Sequence, residues 1–167
     1  VILNYNSSRK LVHKEFIEHA QATLDNTVLR IDNLLNSVET AVENISLVVK
    51  ENIDKPDYLY GITEYLVRSE EYLCGSAVAF EPNYYPEKGH FFSPYSYRDG
   101  DSIRSKQLGN EDYDYHYMDW YQIPKLLNKP YWSEPYFDQG GADAIMTTYS
   151  YPLYDDNGKL FAILTAD

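Results

Sequence analysis

Apolar residues recur at a helical spacing through the first third of the chain. Between residues 10 and 53 there is neither Pro nor Gly, and the apolar positions alternate in steps of four and three. These positions are Leu24, Val28, Ile31, Leu35, Val38, Val42, Ile45 and Val49. A repeat of about 3.5 residues, held over several heptads, is typical of one long helix with a continuous apolar seam. At 1.5 Å per residue this helix is about 60 Å long, which is too long to lie entirely within a compact domain.

The apolar seam has two explanations. The helix packs along its own domain, or its first half also forms a parallel homodimer with a second copy of the chain, which we favour. The helix is expected to end near Pro56, because the residue before a proline leaves the α region, and Asp57 is the expected N-cap of the next helix. We therefore predict one long helix, with a dimer contact in its first half, over residues 1–55.

The remaining residues alternate between short apolar runs and turn residues, which is typical of strands joined by loops. Strands are predicted near residues 72–80, 90–97, 103–108, 144–152 and 160–166, with short helices near 58–67 and 124–127. The segment Asp155-Asp156-Asn157-Gly158 is a hairpin turn signal between the last two strands. These elements predict an α+β fold with a long N-terminal helix, a five- or six-stranded antiparallel sheet and short flanking helices.

Composition narrows the class of partner. The chain has 167 residues, which suits a single domain, and its formal net charge of -12 disfavours nucleic acid and anionic membrane surfaces. The single Cys74 lies in an apolar run, so we interpret it as a small buried hydrophobe and expect no intrachain disulfide. No signal peptide or membrane-spanning run is recognised, and the abrupt ends indicate a piece of a longer protein.

Catalytic and metal sites are not indicated by the spacing of the reactive residues. The four histidines, at positions 13, 19, 90 and 116, have no paired ligand spacing, and no Gly-x-Ser-x-Gly turn is present. Glu134 and Asp138 could flank a glycosidic bond, but two carboxylates four residues apart in an acidic protein are usually solvated. We therefore expect no enzymatic activity, metal or cofactor in this domain.

An aromatic and acidic block stands out in the C-terminal half. Residues 131–138 read Tyr-Trp-Ser-Glu-Pro-Tyr-Phe-Asp, and residues 112–121 hold five more tyrosines or tryptophans among three aspartates. Such rings commonly pack as a half-buried core with their phenols in water. Aromatic faces together with carboxylates also attract an ammonium group. The block therefore predicts a pocket for a small polar or cationic ligand.

Four segments carry a family resemblance. The stretches Asp119-Trp120-Tyr121, Pro130 to Asp138, and Met146 to Gly158, followed by Leu164-Thr165-Ala166-Asp167, resemble the Cache family of extracytoplasmic sensor domains. The resemblance implies a PAS-like fold over residues 56–167 that binds a ligand between the sheet and its covering loops. It also implies the periplasmic or extracellular input domain of a bacterial membrane receptor, tethered to the membrane by segments outside this chain, with residues 1–55 as its signalling helix. The domain is expected to be the membrane-distal half of a double-Cache sensor, with a whole single-Cache sensor as the alternative.

The resemblance also implies a ligand-binding set. In amino-acid-binding members, two aspartates take the ammonium group and an arginine takes the carboxylate. Carried over to this chain, the expected ligand-binding residues are Tyr113, Trp120, Tyr136, Asp138 and Asp167. Tyr121, Thr147 and Tyr149, which lie in the same segments, complete the expected set. Trp132 and Pro135 are expected to shape the loop.

Met118 occupies the position of that arginine. Without a guanidinium, a ligand carboxylate loses charge-assisted hydrogen bonds of about 1.5 to 3 kcal/mol each. An amine without a carboxylate is therefore favoured over a standard amino acid, unless Arg98 or Arg104 substitutes from another strand. The alternative is a ligand-free interaction module in which the same rings only pack or contact another envelope protein.

Overall fold

The computed structural model describes residues 2–138 and 144–167, with side chains from residue 8 onwards. It confirms the predicted α+β architecture of a long helix followed by an antiparallel sheet. The helices are α1 (Ile2–Glu51), α2 (Leu59–Ser69) and α3 (Asp119–Leu127). The strands are β1 (Gly75–Phe80), β2 (Pro94–Asp99), β3 (Ser102–Gln107), β4 (Tyr131–Trp132), β5 (Tyr136–Phe137), β6 (Ile145–Met146), β7 (Tyr149–Tyr154) and β8 (Leu160–Ala166).

Six strands form one antiparallel sheet in the order β3-β2-β1-β8-β7-β4, and β5 and β6 pair separately. The predicted hairpin joins β7 to β8. There the N–H of Asp155 donates to the carbonyl of Lys159 at 2.9 Å, and Gly158 has a φ of 76°. The two central strands, β1 and β8, come from opposite ends of the domain and pair with each other. Each also pairs with a second strand along its other edge, β1 with β2 and β8 with β7.

Three local predictions were wrong. Asp57 caps no helix, because the 3-10 turn Pro56–Tyr58 precedes α2, and its carboxylate instead accepts from Lys88 Nζ at 2.6 Å. The single helical turn predicted near Pro124 is the end of α3, which includes the aromatic residues that precede it. The strand predicted over 144–152 is divided into β6 and β7.

Helix α1 contributes to two compact units, one ending at Ser37 and one beginning at Val38. In the first unit the seam residues Leu24, Val28 and Ile31 are 57%, 48% and 52% exposed. In the second unit the seam is buried in the core, at Val38, Val42, Ile45 and Val49. The same heptad repeat therefore serves the core of the domain only from Val38 onwards.

The sheet buries two chemically different faces, because successive side chains of a strand point to opposite sides. On the first, here called the helix face, the strands pack against α2 and the last turns of α1. Its strand residues include Val78, Phe80, Leu153, Leu164 and Ala166. On the opposite side, here called the tyrosine face, the strands pack against α3 and the segment before it. Its residues include Ala77, Ala79, Tyr95, Tyr115, Trp120, Tyr121 and Ile163.

Candidate functional site

A small cavity lies on the tyrosine face. Its volume is about 10 Å³, which is close to the room that one water molecule needs. The lining residues are Ala77, Tyr95, Leu108, Tyr113, Trp120, Tyr136, Asp138, Thr165 and Asp167. Five of the residues expected from the sequence are therefore together in one place, although they come from four separate parts of the chain.

An open cleft of about 630 Å³ adjoins this cavity. Four residues line both spaces, namely Tyr113, Trp120, Tyr136 and Asp138. The volume of the cleft lies in the range of small-molecule sites in proteins. A ligand that enters the cleft thus meets the same rings and the same carboxylate that enclose the inner cavity.

Asp167 reaches the cavity because of its register. It follows β8 at the same parity as Ile163 and Thr165, whose side chains lie on the tyrosine face. The main chain of Asp167 is fixed to the start of β1, since its carbonyl accepts from Cys74 N at 2.8 Å and its N–H donates to Gly75 O at 2.9 Å. The carboxylate is therefore held at the junction of the two central strands.

A chain of hydroxyl groups reaches the same carboxylate. Thr148 Oγ1 donates to Asp167 Oδ1 at 2.9 Å, and it lies 2.8 Å from the hydroxyl of Tyr136. Because the threonine proton is directed to the carboxylate, the Tyr136 hydroxyl is the donor in the second hydrogen bond. Thr148 was missed from the sequence, where its neighbour Thr147 was expected.

The carboxyl group of Asp167 is affected by its burial and by the neighbouring Asp138. Burial raises the pKa of Asp167 to about 7; the hydrogen bond from Thr148 opposes this shift and the nearby charge of Asp138 adds to it. A cation placed between the two carboxylates would favour the ionised form of Asp167. The site is therefore arranged to receive positive charge.

Three phenol groups lie close to these carboxylates and are neutral. Burial raises the pKa of Tyr113, Tyr136 and Tyr95 well above that of a free phenol, and the neighbouring aspartates raise it further. All three therefore keep their protons at neutral pH. The hydroxyl of Tyr113 donates to Asp138 Oδ1 at 3.4 Å.

Tyr95 lines the cavity, and Gly75 lies beside Tyr95 and Asp167; neither residue was expected from the sequence. The hydroxyl of Tyr95 is buried and has no hydrogen-bond partner within the described part of the chain. A Cβ atom at Gly75 would lie 2.6 Å from that hydroxyl and 2.8 Å from Asp167 Oδ2. A side chain at position 75 would therefore force the phenol or the carboxylate to shift. The alternation of aromatic residues before Tyr97 was the available sequence signal for Tyr95.

Three of the expected residues do not line the cavity. Tyr121 donates to Glu81 Oε1 at 2.5 Å, and Thr147 donates to the carbonyl of Ser133 at 2.6 Å. The ring of Tyr149 lies 5.0 Å from that of Trp132 and belongs to the helix face. Their role in ligand binding stays a prediction.

The side chains of Trp132 and of the two candidate arginines make hydrogen bonds or ion pairs within the domain. Trp132 Nε1 donates to Glu39 Oε1 on α1 at 2.7 Å. Arg98 donates to the carbonyls of Val67, Glu70 and Leu73, and Arg104 pairs with Asp99 at 2.6 Å. Met118 lines the open cleft, and neither arginine is among the residues that line the cavity or this cleft.

The fold and this pocket define a PAS-like ligand-binding domain. Residues 59–167 match the family model described as the methyl-accepting chemotaxis protein-like, first PDC sensor domain. The chain belongs to this family and is a sensor domain of the PDC/Cache kind. The search of the curated proteins found no match.

Solved structures of sensor domains share the fold. The extracellular domain of a proposed histidine kinase, soHK1S-Z6, is 31% identical with a TM-score of 0.69, over 80% of this chain and 52% of that one. The periplasmic sensory domain of the Campylobacter jejuni chemoreceptor Tlp1 is 15% identical with a TM-score of 0.63, over 83% and 55%. The ligand-binding domain of Mlp24 with asparagine is 16% identical with a TM-score of 0.60, over 82% and 50%.

The chain spans about half the length of these solved domains. Among the residues that the structure describes, no helix is both long enough and apolar enough to cross a membrane.

Proposed function

We propose that this domain senses a small molecule bearing an ammonium group, outside the cytoplasm, as the input domain of a bacterial transmembrane signal transducer. One observation carries the proposal: Asp138 and Asp167 line the same cavity, which is walled by Tyr113, Trp120 and Tyr136. Each charge-assisted hydrogen bond to the ammonium contributes about 1.5 to 3 kcal/mol. Each ring within reach adds about 0.5 to 2 kcal/mol.

The ligand is proposed to be an amine without an α-carboxylate. Mlp24, which shares the fold, was solved with asparagine, and an amino acid has a carboxylate as well as an ammonium group. Here Met118 lines the open cleft, and the side chains of Arg98 and Arg104 are engaged elsewhere. A thioether offers neither charge nor a hydrogen-bond donor to a carboxylate.

The larger protein is proposed to be a double-Cache receptor in the cell envelope, with this chain as its membrane-distal half. Two findings support this: the matched family describes a first sensor domain, and the chain spans about half of its solved neighbours. Segments outside this chain would hold it to the membrane. The output domain would be a histidine kinase, a chemoreceptor module, a phosphatase or a cyclase, and the sensor domain itself would have no catalytic role.

Transmission is proposed to run through α1 (residues 1–55 as a functional unit), with residues 56–167 binding the ligand. The exposed seam of Leu24, Val28 and Ile31 supports a homodimer, because apolar residues at heptad spacing pair with a second helix. Light scattering of the wild type and of Val28→Glu tests this: we expect a dimer that dissociates in the variant. A monomeric wild type would contradict it.

Calorimetry with a defined panel tests the ligand proposal. The panel contains methylamine, ethanolamine, putrescine and L-asparagine, with acetate as the anionic control. We expect an amine to bind, and Asp138→Ala to weaken its affinity by about ten- to a hundredfold, equivalent to about 1.5 to 3 kcal/mol. The matched control is Glu134→Ala, which removes the same charge from an exposed position nearby and leaves the affinity unchanged.

Two results would contradict the proposal. An amine whose affinity is unchanged by Asp138→Ala binds elsewhere, and the site assignment then fails. If no member of the panel binds, while a protein of the cell envelope binds the tyrosine face and is lost with Trp120→Ala, the alternative of a ligand-free interaction module is correct.

A further inference from the structure

Two histidines and a carboxylate meet outside the amine pocket. Among the residues that the structure describes, His90, Asp114 and His116 form a group whose ligand atoms lie within 4.8 Å of one another. None of the three lines the cavity or the open cleft. Spacing along the chain gave no sign of this group, because the loop after β1 and the segment before α3 are brought together only by the fold.

The hydrogen bonds of His116 determine which ring nitrogen is available. Its Nε2 lies 3.2 Å from the carbonyl oxygen of Phe80. A carbonyl oxygen only accepts, so Nε2 carries the proton of the neutral ring. The lone pair of the neutral ring is then on Nδ1. A histidine that binds a metal commonly donates its other N–H to a backbone carbonyl in this way, which fixes both tautomer and ring orientation.

That lone pair faces another acceptor. His116 Nδ1 lies 2.8 Å from Asp114 Oδ1, and this oxygen also accepts from the backbone N–H of His116 at 3.0 Å. A neutral imidazole nitrogen and a carboxylate oxygen repel each other at this distance unless a cation lies between or beside them. The cation is either a proton or a metal ion.

His90 supplies the third ligand and makes a metal ion the better choice. Its ring centroid lies 5.4 Å from that of His116, and its side chain is exposed and so accessible to an ion from solution. The Asn83 amide lies 3.4 Å from His90 Nδ1. Because an amide can be turned over to present its oxygen, Asn83 can accept from Nδ1–H and leave the other nitrogen of His90 unprotonated.

From this geometry we infer that His90, Asp114 and His116 bind a divalent transition-metal ion, with Zn²⁺ as the best fit. Two imidazoles and one carboxylate are a common set of three ligands for Zn²⁺, and a water molecule would take the fourth position. The ion would link the loop after β1 to the segment that carries Tyr113, a residue of the amine cavity. The inference does not depend on the proposed amine.

Metal titration of the untagged chain tests the inference, because a histidine tag would itself bind the ion. We expect one Zn²⁺ per chain by equilibrium dialysis, and Co²⁺ in its place should show the strong visible absorption of a tetrahedral site. His90→Gln and Asp114→Asn should each weaken binding by more than about tenfold, which is the lower end of the effect of losing even an outer partner. The matched control, His19→Gln on the exposed part of α1, should bind as the wild type does.

Folding of the variants does not obscure the result. His90 is exposed, and asparagine at position 114 keeps the oxygen that accepts from His116 N. Zn²⁺ should also raise the melting temperature of the wild type but not of His90→Gln, because only a protein that binds the ion in its folded state is stabilised. Absence of Zn²⁺ binding, or equal binding by wild type and His90→Gln, would overturn the inference and leave a shared proton as the cation.

Discussion

The two faces of the sheet are both buried, but they are built from different side chains. The helix face packs aliphatic residues such as Val78 and Leu164 against α2 and the end of α1. The tyrosine face places phenols, hydroxyls and carboxylates over the same two central strands. Successive residues at the end of β8 and just after it alternate between these environments. Leu164 and Ala166 lie on the helix face, whereas Thr165 and Asp167 lie on the tyrosine face.

This difference separates stability from recognition. Burial of aliphatic surface contributes about 25 cal/mol per Å² and needs no partner of defined geometry. Hydrogen bonds among buried polar groups contribute only about 0.5 to 1.5 kcal/mol net, and a buried carboxylate opposes folding. The tyrosine face therefore retains polar groups that cost stability, and a ligand is the partner that would compensate them.

Truncation on the helix face should have the largest effect on folding. Leu164 is fully buried, so Leu164→Ala should lower the free energy of unfolding by about 2 to 5 kcal/mol. On the tyrosine face, Tyr136→Phe removes one hydroxyl and should cost only about 0.5 to 1.5 kcal/mol. Urea denaturation followed by circular dichroism measures both values. Equal losses would show that the two faces contribute alike.

Removal of the buried charge on the tyrosine face should have the opposite sign. The unfolded chain releases the Asp167 proton near pH 3.8, whereas the folded chain retains it up to about pH 7. The folded state thus binds more protons between these values, and its stability falls as the pH rises from about 4 to 7. Asp167→Asn should remove this part of the pH dependence and stabilise the protein above pH 7, by roughly 1.4 kcal/mol for each pKa unit of the shift.

The same substitution should abolish amine binding. A proton competes with the ammonium for Asp167, so the affinity of the wild type for the tightest amine of the panel should rise about tenfold per pH unit up to about pH 7 and then level off. Denaturation and calorimetry over a pH series measure both effects. A variant that is less stable at pH 8, or that binds the amine as before, would contradict this account of Asp167.

The sequence was sufficient to predict the fold class and to name five residues that lie together in one cavity. Heptad spacing identified α1, and alternation with turn signals identified the sheet, because both depend on local periodicity. The resemblance to the Cache family supplied Tyr113, Trp120, Tyr136, Asp138 and Asp167, all of which the fold brings to one cavity. The exposure of the first part of the seam could not be predicted, since a heptad repeat does not say which partner covers it.

The remainder of the site depends on register, which the sequence does not determine by itself. A shift of one residue moves a side chain to the other face of a sheet. Tyr149 pairs with Ala166 on the helix face, whereas Ser150 pairs with Thr165 on the tyrosine face. Thr148 has the parity of Ser150 and reaches Asp167, and for this reason the expected Thr147 does not. The contact of Gly75 with Tyr95 likewise depends on the pairing of β1 with β2.

A methyl group added to the central strand should displace two side chains that line the cavity, those of Tyr95 and Asp167. Gly75→Ala places a Cβ atom 2.6 Å from the Tyr95 hydroxyl, so side chains must shift at a cost of about 1 to 3 kcal/mol. We expect amine affinity to fall more than tenfold. The matched control is Gly61→Ala in α2, where nothing lies within 4 Å of the new atom, and there alanine should stabilise by about 0.5 to 1 kcal/mol. Denaturation measures the stability of both variants and calorimetry measures their amine affinity. Unchanged amine binding by Gly75→Ala would place the ligand outside the inner cavity.

The smallest effect should come from the hydroxyl that connects the tyrosine face to Asp167. Thr148→Val keeps the shape of the side chain but removes the donor to Asp167 Oδ1 and the acceptor for Tyr136. Loss of that donor leaves the ionised carboxylate less stabilised, so the pKa of Asp167 should rise further and amine affinity should fall by up to about tenfold, equivalent to about 0.5 to 1.5 kcal/mol. Thr147→Val is the matched control, because its hydroxyl donates to Ser133 O instead. Calorimetry at pH 6 and pH 8 distinguishes the two: the Thr148 variant should lose more affinity at the lower pH, whereas equal losses from both threonines would show that the hydroxyl chain has no part in binding.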